Sequence, residues 1–333
     1  MNLENRKLKI IFWGTSEFAV PSLEALFKNP EIELAAIITE PDKRAGRKLE
    51  LKKSPVKIFA EEKKLKLFQP ENLKDKEFLR ELKKTKTDVA VLAAYGRKIP
   101  IEILKIPKKG FLNLHPSLLP KYRGPSPIQT AILNNDKEIG VSIIILDEKI
   151  DHGPILAQKK LKIEEDETAP QLSEKLAKLG AKLLIQTIKK YNEGRIIPQP
   201  QNDEKATYTK LFSRADGKID WKNSAKKIER MVRAFYPWPS AWTEIKNIGR
   251  IKITKSSILS LSSLSNLIAK SDIEKLKKIP VGEFFEINKK LAVKCGHAQH
   301  DGDLLIIEKL IPEGKKEMTG EEFLRGYKVI NKV

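Results

Sequence analysis

From Lys7 onward, short apolar runs bounded by turn residues alternate with amphipathic stretches, the pattern of βα units laid around a mostly parallel sheet. Strands are expected at Leu8–Trp13, Leu34–Thr39, Leu67–Gln69, Val89–Ala94 and Phe111–His115. Between them, helices are expected at Phe18–Lys28, Val56–Lys64, Asp75–Lys84 and Ile101–Leu104. Past residue 139 the pattern changes. Two strand-like runs, Val141–Leu146 and Ile155–Ile163, are joined by Asp-Glu-Lys-Ile-Asp-His-Gly-Pro and should close the sheet as a hairpin or crossed pair, before a long helix from about Ala169 to Lys190.

Residues 193–210 are rich in Pro, Gln, Asn and Asp without apolar periodicity, which suits an extended connector running over the surface. Beyond it come one helix, Ser224–Phe235, and short β-like runs at Ala241–Ile245, Arg250–Ser256, Leu291–Cys295 and Leu304–Leu310, the profile of a small barrel. Ser256–Ser265 and the charged, helix-like Asp272–Lys278 read as a loop elaboration within it. At 333 residues the chain suits two domains. The expected organisation is a Rossmann-like α/β domain over 1–192, a linker over 193–210 and a smaller β-barrel domain over 211–333.

Composition adds a partner to this picture. Lys and Arg number 64 against 44 Asp and Glu, a formal charge of +20, which makes a polyanion such as nucleic acid the first partner to test. No apolar stretch approaches the roughly 18–20 residues that span a bilayer. Only Ile10–Trp13 follow the basic N-terminus before Gly14, too few for the apolar core of a signal peptide. The single cysteine, Cys295, excludes an intrachain disulfide framework and fits a reducing cytoplasm. Cys295-Gly-His-Ala-Gln-His300 lacks a fourth ligand at standard spacing, and no metal is expected.

The chemistry concentrates in two segments. Gly14-Thr15-Ser16 opens the first helix after the first strand, but without the G-x-G-x-x-G fingerprint it does not support dinucleotide binding. In the strand ending at His115, side chains two residues apart share a face, so Asn113 and His115 project together at the end where α/β sheets bind ligands. An amide and an imidazole so placed can stabilise a developing oxyanion, or can simply satisfy buried backbone groups. Three prolines and a glycine within Ser117–Pro127 make a rigid loop that suits the wall of a flat-ligand pocket, or merely a stiff connector. Asp151 lies in a turn marked by Gly153 and Pro154. Brought to His115, its carboxylate could orient the ring and assist proton removal from an amine; otherwise it is an ordinary turn residue.

Three strings carry a resemblance: Ile10-Ile-Phe-Trp-Gly-Thr-Ser-Glu-Phe-Ala, Asn113-Leu-His-Pro-Ser-Leu-Leu-Pro-Lys-Tyr-Arg-Gly, and Asp147-Glu-Lys-Ile-Asp-His-Gly-Pro-Ile-Leu. They are similar to those of the formyltransferases that use N10-formyltetrahydrofolate. The resemblance implies a catalytic trio of Asn113, His115 and Asp151, folate contacts from Ser117, Leu118, Leu119 and Pro120, and N10-formyltetrahydrofolate as co-substrate. His152 stands where the family usually has Thr.

Two further stretches resemble members of that family acting on methionyl initiator tRNA. Over 41–57, Lys43, Arg44, Arg47, Lys48, Lys52, Lys53 and Lys57 stand against Asp42 and Glu50, a net charge of +5 that attracts phosphate. This stretch resembles the family's basic insertion loop. The resemblance makes Lys43, Arg44, Arg47, Lys48, Lys52 and Lys53 candidate tRNA contacts, with Arg47 the best placed to read the acceptor end. Arg233-Ala-Phe-Tyr-Pro-Trp-Pro resembles the element that opens the family's C-terminal oligonucleotide-binding-type (OB-like) barrel, with Phe235, Trp238 and Trp242 expected as core aromatics rather than site residues. A cytoplasmic monomer is implied. Rival readings are a formyltransferase for a small amine, such as glycinamide ribonucleotide or an amino sugar nucleotide, and a non-catalytic tRNA-binding protein.

Overall fold

A computed structural model describes residues 6–45, 50–260, 270–296, 303–327 and 331–332. Arg47, Lys48, His297 and His300 lie outside the described residues. Contacts divide the chain into two compact units, the first of residues 1–127, 137–162 and 171–210, the second of 128–136, 163–170 and 211–333.

In the first unit the chain runs β1 (Leu8–Gly14), α1 (Val20–Phe27), β2 (Ile32–Ile38), β3 (Lys43–Ala45), β4 (Glu50–Lys52), α2 (Pro55–Glu62), β5 (Leu67–Phe68), α3 (Lys76–Lys84), β6 (Val89–Ala93), α4 (Ile101–Leu104) and β7 (Phe111–His115). After α5 (Pro127–Leu133), which from Ile128 on belongs to the second unit, come β8 (Glu138–Ile145), β9 (Ile155–Lys162) and the long α6 (Ala169–Asn192), which belongs to the first unit from Gln171. Polar caps start the helices where the sequence changes register: Ser54 accepts from the Lys57 amide at 3.0 Å, and Asp75 from that of Phe78 at 2.8 Å.

The sheet order is β5-β2-β1-β6-β7-β8-β9, parallel from β5 to β7, with β8 antiparallel to both its neighbours. The strand order reverses between β1 and β6, the switch point beside which open α/β sheets hold ligands at their carboxyl ends. The central strands read as continuous apolar runs because both faces are covered: Ile10–Trp13 and Val89–Val91 are buried throughout. On one face Trp13 packs edge-on against Tyr95 and Phe78 and tilted against Phe111. On α6, a Cβ at Gly180 would come within 2.7 Å of the Leu114 side chain, so glycine there lets the helix seat closely on β7.

The basic stretch over 41–57 is a two-stranded antiparallel ribbon, β3 with β4, in the register Lys43↔Lys52, Arg44↔Leu51 and Ala45↔Glu50. Residues 193–210 pack within the first unit: the Ile155 and Gln199 backbones exchange hydrogen bonds at 2.7 and 2.9 Å, and Thr207 and Thr209 bracket Arg123.

The second unit is built on α7 (Ala225–Phe235), β10 (Ala241–Ile245), β11 (Gly249–Leu259), α8 (Lys270–Lys278), β12 (Phe284–Ile287), β13 (Lys290–Lys294), β14 (Leu304–Pro312), β15 (Met318–Thr319), α9 (Gly320–Gly326) and β16 (Asn331–Lys332). Its sheet runs β10-β11-β14-β13-β12-β16, antiparallel except for the β12–β16 pair. Register shifts around Lys255 bend β11 against β14, the device by which small β domains curl. The inner face buries Ile228 and Val232 of α7 with Ile251, Ile253, Val293, Leu305 and Phe323.

Two expectations are corrected. Ser256–Leu259 is strand, not loop, because β11 continues in register against Leu304–Ile307 of β14. Phe235 and Trp242 join the core, but Trp238 is 56% exposed. The Tyr-Pro-Trp-Pro run cannot extend α7, since each proline lacks an amide hydrogen, and its indole therefore falls beyond the helix's buried face.

Candidate active site

Strand β7 lies between β6 and β8, pairing Asn113 with Leu92 and Ile144, and His115 with Ser142. Both side chains project at the strand's carboxyl end and are buried. The β8–β9 connection returns across this end and brings Asp151 to them: Asn113 Nδ2 donates to Asp151 Oδ1 at 3.2 Å, and His115 Nδ1 lies 3.5 Å from Asp151 Oδ2. The three residues that the sequence separates by 38 positions thus meet at one point.

Hydrogen-bond logic assigns their states. His115 Nε2 is 2.9 Å from the Tyr122 carbonyl oxygen, which can only accept, so Nε2 carries a hydrogen. A neutral ring therefore presents Nδ1 as a lone pair beside Asp151, and a second proton makes Nδ1 a donor. Asn113 spends one amide hydrogen on Asp151 and keeps another. Asp151 also accepts from the Gly124 amide at 2.9 Å, so its carboxylate is gripped from two directions.

Asp151 itself has φ +48°, the left-handed region that a non-glycine residue enters only when neighbours hold it there. The neighbours are two. Gly124 has φ +111°, and a Cβ there would lie 2.8 Å from the Thr209 carbonyl oxygen, so glycine is what allows its amide to approach the carboxylate. The Gln201 side chain donates to the Asp151 and Gly153 carbonyls, at 2.8 Å each.

The loop after β7 is fixed from below by Ser142, which donates to the Ser117 carbonyl at 2.6 Å and accepts from the Leu119 amide at 3.1 Å. Gln158 donates to the Leu119 carbonyl at 2.9 Å. Of the expected folate contacts, Ser117 and Leu119 are buried, with the Ser117 hydroxyl committed to the Lys121 carbonyl at 2.6 Å. Leu118 and Pro120 are half-buried. The loops after β1 and β6 flank the same edge of the sheet and are tied together, Thr15 Oγ1 donating to the Tyr95 carbonyl at 2.8 Å.

Among the candidate RNA contacts, Lys43 pairs with Glu40 and Lys53 with Glu61 at 2.7 Å. Arg44 and Lys52 are exposed, with no carboxylate partner among the described residues. Lys57 is half-buried and bound to Asp42 at 2.7 Å, which makes it part of the fold. Among the described residues no group of three His, Cys, Asp or Glu side chains could hold a metal, and no helix is long and apolar enough to cross a membrane.

Sequence reasoning missed Tyr122, Arg123, Gly124, Gln201 and Thr209. Tyr-Arg-Gly lies within the Pro-rich loop Ser117–Pro127, whose rigidity was the available signal; nothing in the composition of 193–210 marks Gln201.

Comparison with known proteins shows the family. Residues 6–188 match the family model described as formyl transferase, and residues 212–328 match the formyl transferase C-terminal domain. The methionyl-tRNA formyltransferase of Thermodesulfovibrio yellowstonii is 43% identical over 320 residues, covering 96% of each chain. That of Caldanaerobacter subterraneus subsp. tengcongensis is 40% identical over 323 residues, 97% of this chain and 98% of its own. Among solved structures, an N-formyltransferase from Helicobacter canadensis in complex with folinic acid and dTDP-3-aminofucose has the same fold. It superposes with a TM-score of 0.64 at 23% identity, over 90% of this chain and 98% of that one. The chain belongs to the formyl transferase family, and within it to the methionyl-tRNA formyltransferases.

Proposed function

We propose that the protein transfers the formyl group of N10-formyltetrahydrofolate to the α-amine of methionine esterified to initiator tRNA, acting in the cytoplasm as a monomer. The observation that carries this reading is the meeting of Asn113, His115 and Asp151 in a chain that aligns end to end with methionyl-tRNA formyltransferases. The donor set fits a formyl amide: an uncommitted amide hydrogen on Asn113, a titratable nitrogen on His115, and a carboxylate held against both. Leu118 and Pro120, on the loop braced by Ser142 and Gln158, are the candidate folate contacts that stay partly accessible.

In the reaction, the amine lone pair adds to the formyl carbon and the carbonyl π pair moves onto oxygen. Asn113 donates its remaining hydrogen to that oxyanion, an interaction whose loss costs on the order of 3 kcal/mol of barrier. The His115–Asp151 pair takes the proton that the amine gives up. With Nε2 already donating to Tyr122, the proton enters the ring at Nδ1, and the adjacent carboxylate stabilises the resulting cation. Collapse re-forms the carbonyl, breaks the bond to N10 and delivers the proton there, so the amine hydrogen ends on the folate nitrogen.

RNA contact is assigned to the β3–β4 ribbon. Arg44 and Lys52, exposed and without a carboxylate partner among the described residues, are the cations there that phosphate would neutralise, while Lys43 is paired with Glu40. Arg47 and Lys48 extend the same basic stretch, and the resemblance gives tRNA binding to the domain over 211–333 beside the formyl-transfer domain over 1–192.

The test measures formyl transfer from N10-formyltetrahydrofolate to methionyl initiator tRNA, free methionine and glycinamide ribonucleotide, at two salt concentrations. Formylation of charged tRNA alone, weakened by salt, is expected. Asn113→Ala and Asp151→Ala should each lower kcat at least about 100-fold, with the KM for tRNA little changed. Transfer to glycinamide ribonucleotide would overturn the acceptor, and full activity in either variant would overturn the site.

A further inference from the structure

Asp151 is held by a side chain that arrives from 50 residues further along the chain. Gln201 Nε2 uses both of its hydrogens on the carbonyls of Asp151 and Gly153, which flank His152, so one amide pins the turn at two points. Its Oε1 accepts from Arg123 Nε at 3.0 Å and Nη2 at 2.9 Å. The orientation of the amide is forced, because carbonyls only accept and a guanidinium only donates. Arg123 is in turn buried and fixed: its backbone is bracketed by Thr207 and Thr209, and Nη2 reaches Asp203 at 2.7 Å.

From these contacts we infer that Gln201 is a positioning residue for formyl transfer. It sets the left-handed backbone of Asp151 so that the carboxylate meets Asn113 and His115, and it transmits the rigidity of the Arg123 anchor to the reacting group. The inference rests on the catalytic role proposed for Asp151. A second clasp braces the far side of the same turn, where His152 Nδ1 lies 2.6 Å from Asp147 and Nε2 3.3 Å from Asp203. The clasp spans Asp147 to Asp203 but touches none of the trio, whereas Gln201 bonds directly to the Asp151 backbone.

Gln201→Glu separates positioning from anchoring. The carboxylate keeps an acceptor for Arg123 and adds an ion pair, but sets oxygen against the two carbonyl oxygens and releases the turn. The expected result is a kcat lowered about 10- to 100-fold, with KM for both substrates within about threefold and the thermal midpoint unchanged. Gln201→Met, which loses both sets of bonds, should show the same fall in kcat with a lower midpoint. A merely structural role predicts the opposite split: Gln201→Glu fully active, and Gln201→Met losing activity only in proportion to its unfolded fraction. Asp151→Ala is assayed beside them. If it keeps turnover, the site reading fails whatever Gln201 does; if it is inactive while Gln201→Glu has wild-type kcat, the positioning role alone is overturned.

Discussion

Formal charge overstates the RNA-facing charge of the basic ribbon, and the difference can be measured. Of the described cations over 41–57, Lys57 is committed to Asp42 and Lys53 to Glu61, while Lys43 leans on Glu40. Arg44 and Lys52 remain, on alternating faces of a ribbon whose described side chains are all exposed, so a phosphate backbone along its edge reaches both. Each phosphate neutralised on a single strand contributes about −0.7 to the slope of log K against log salt. Arg44→Ala with Lys52→Ala should therefore flatten the slope for methionyl initiator tRNA by about 1.4. Extrapolated from a salt-insensitive 1 M reference, that is a loss of about 25-fold in affinity at 0.1 M. Lys57→Ala should leave the slope unchanged while lowering the thermal midpoint. Fluorescence anisotropy of labelled tRNA between 0.05 and 0.4 M salt, without formyl donor, reads all three. A wild-type slope in the double variant, or an equal flattening by Lys57→Ala, would refute the assignment of the unpaired cations to phosphate.

Two further outcomes follow from the same physics. Burial pushes the Cys295 thiol up to about 12, so iodoacetamide at pH 8 should leave the native protein unmodified and label it only on unfolding; rapid native alkylation would contradict the burial. Hydrogen bonds from Lys57 and then Gln69 hold the Asp42 carboxyl below its ordinary 3.8, so the folded state binds that proton more weakly than the unfolded one. The pair stabilises the fold above that ordinary value, and the contribution is lost as pH falls through the folded pKa. Asp42→Asn should lower the thermal midpoint at pH 7, with the gap to wild type closing as pH falls from 3.8 through the lowered pKa of the folded state; a constant gap would show that the ion pair is not its source.

The sheet of the first unit was legible because its central strands are buried on both faces, and such strands read as unbroken apolar runs flanked by Gly and Pro. The β3–β4 ribbon was not, since both its faces are solvated and its register comes from cross-strand bonds rather than alternation. Helix α5 hid behind Pro125 and Pro127, which read as breakers, although a proline in the first turn of a helix forfeits no hydrogen bond. In the site, period-two spacing placed Asn113 and His115 on one face from sequence alone. The meeting with Asp151 depended on a hairpin connection whose path no local signal encodes. Gln201 was the least visible, because its role comes from tertiary approach and its neighbours look like linker.

The groups that grip the trio belong to the first unit: the Gly124 amide, the Tyr122 carbonyl and the Gln201 side chain hold it, Arg123 anchors Gln201, and Ser142 and Gln158 brace the adjoining loop. These contacts orient the groups proposed as acid–base pair and oxyanion donor, and none of them distinguishes a nucleotide-linked amine from an aminoacyl ester. The same fold occurs in a structure holding a dTDP-linked amino sugar, and fold alone does not select a substrate. Choice of acceptor must then lie in elements that the chemistry does not require. The β3–β4 ribbon is one such element: it lies outside the seven-stranded sheet, and its Arg44 and Lys52 have no carboxylate partner among the described residues. Removing its charge should raise the KM for charged tRNA and leave kcat intact, whereas releasing Asp151 through Gln201 should do the reverse. That opposition is the quantitative signature expected if the reaction centre and the device for recognising RNA are separable.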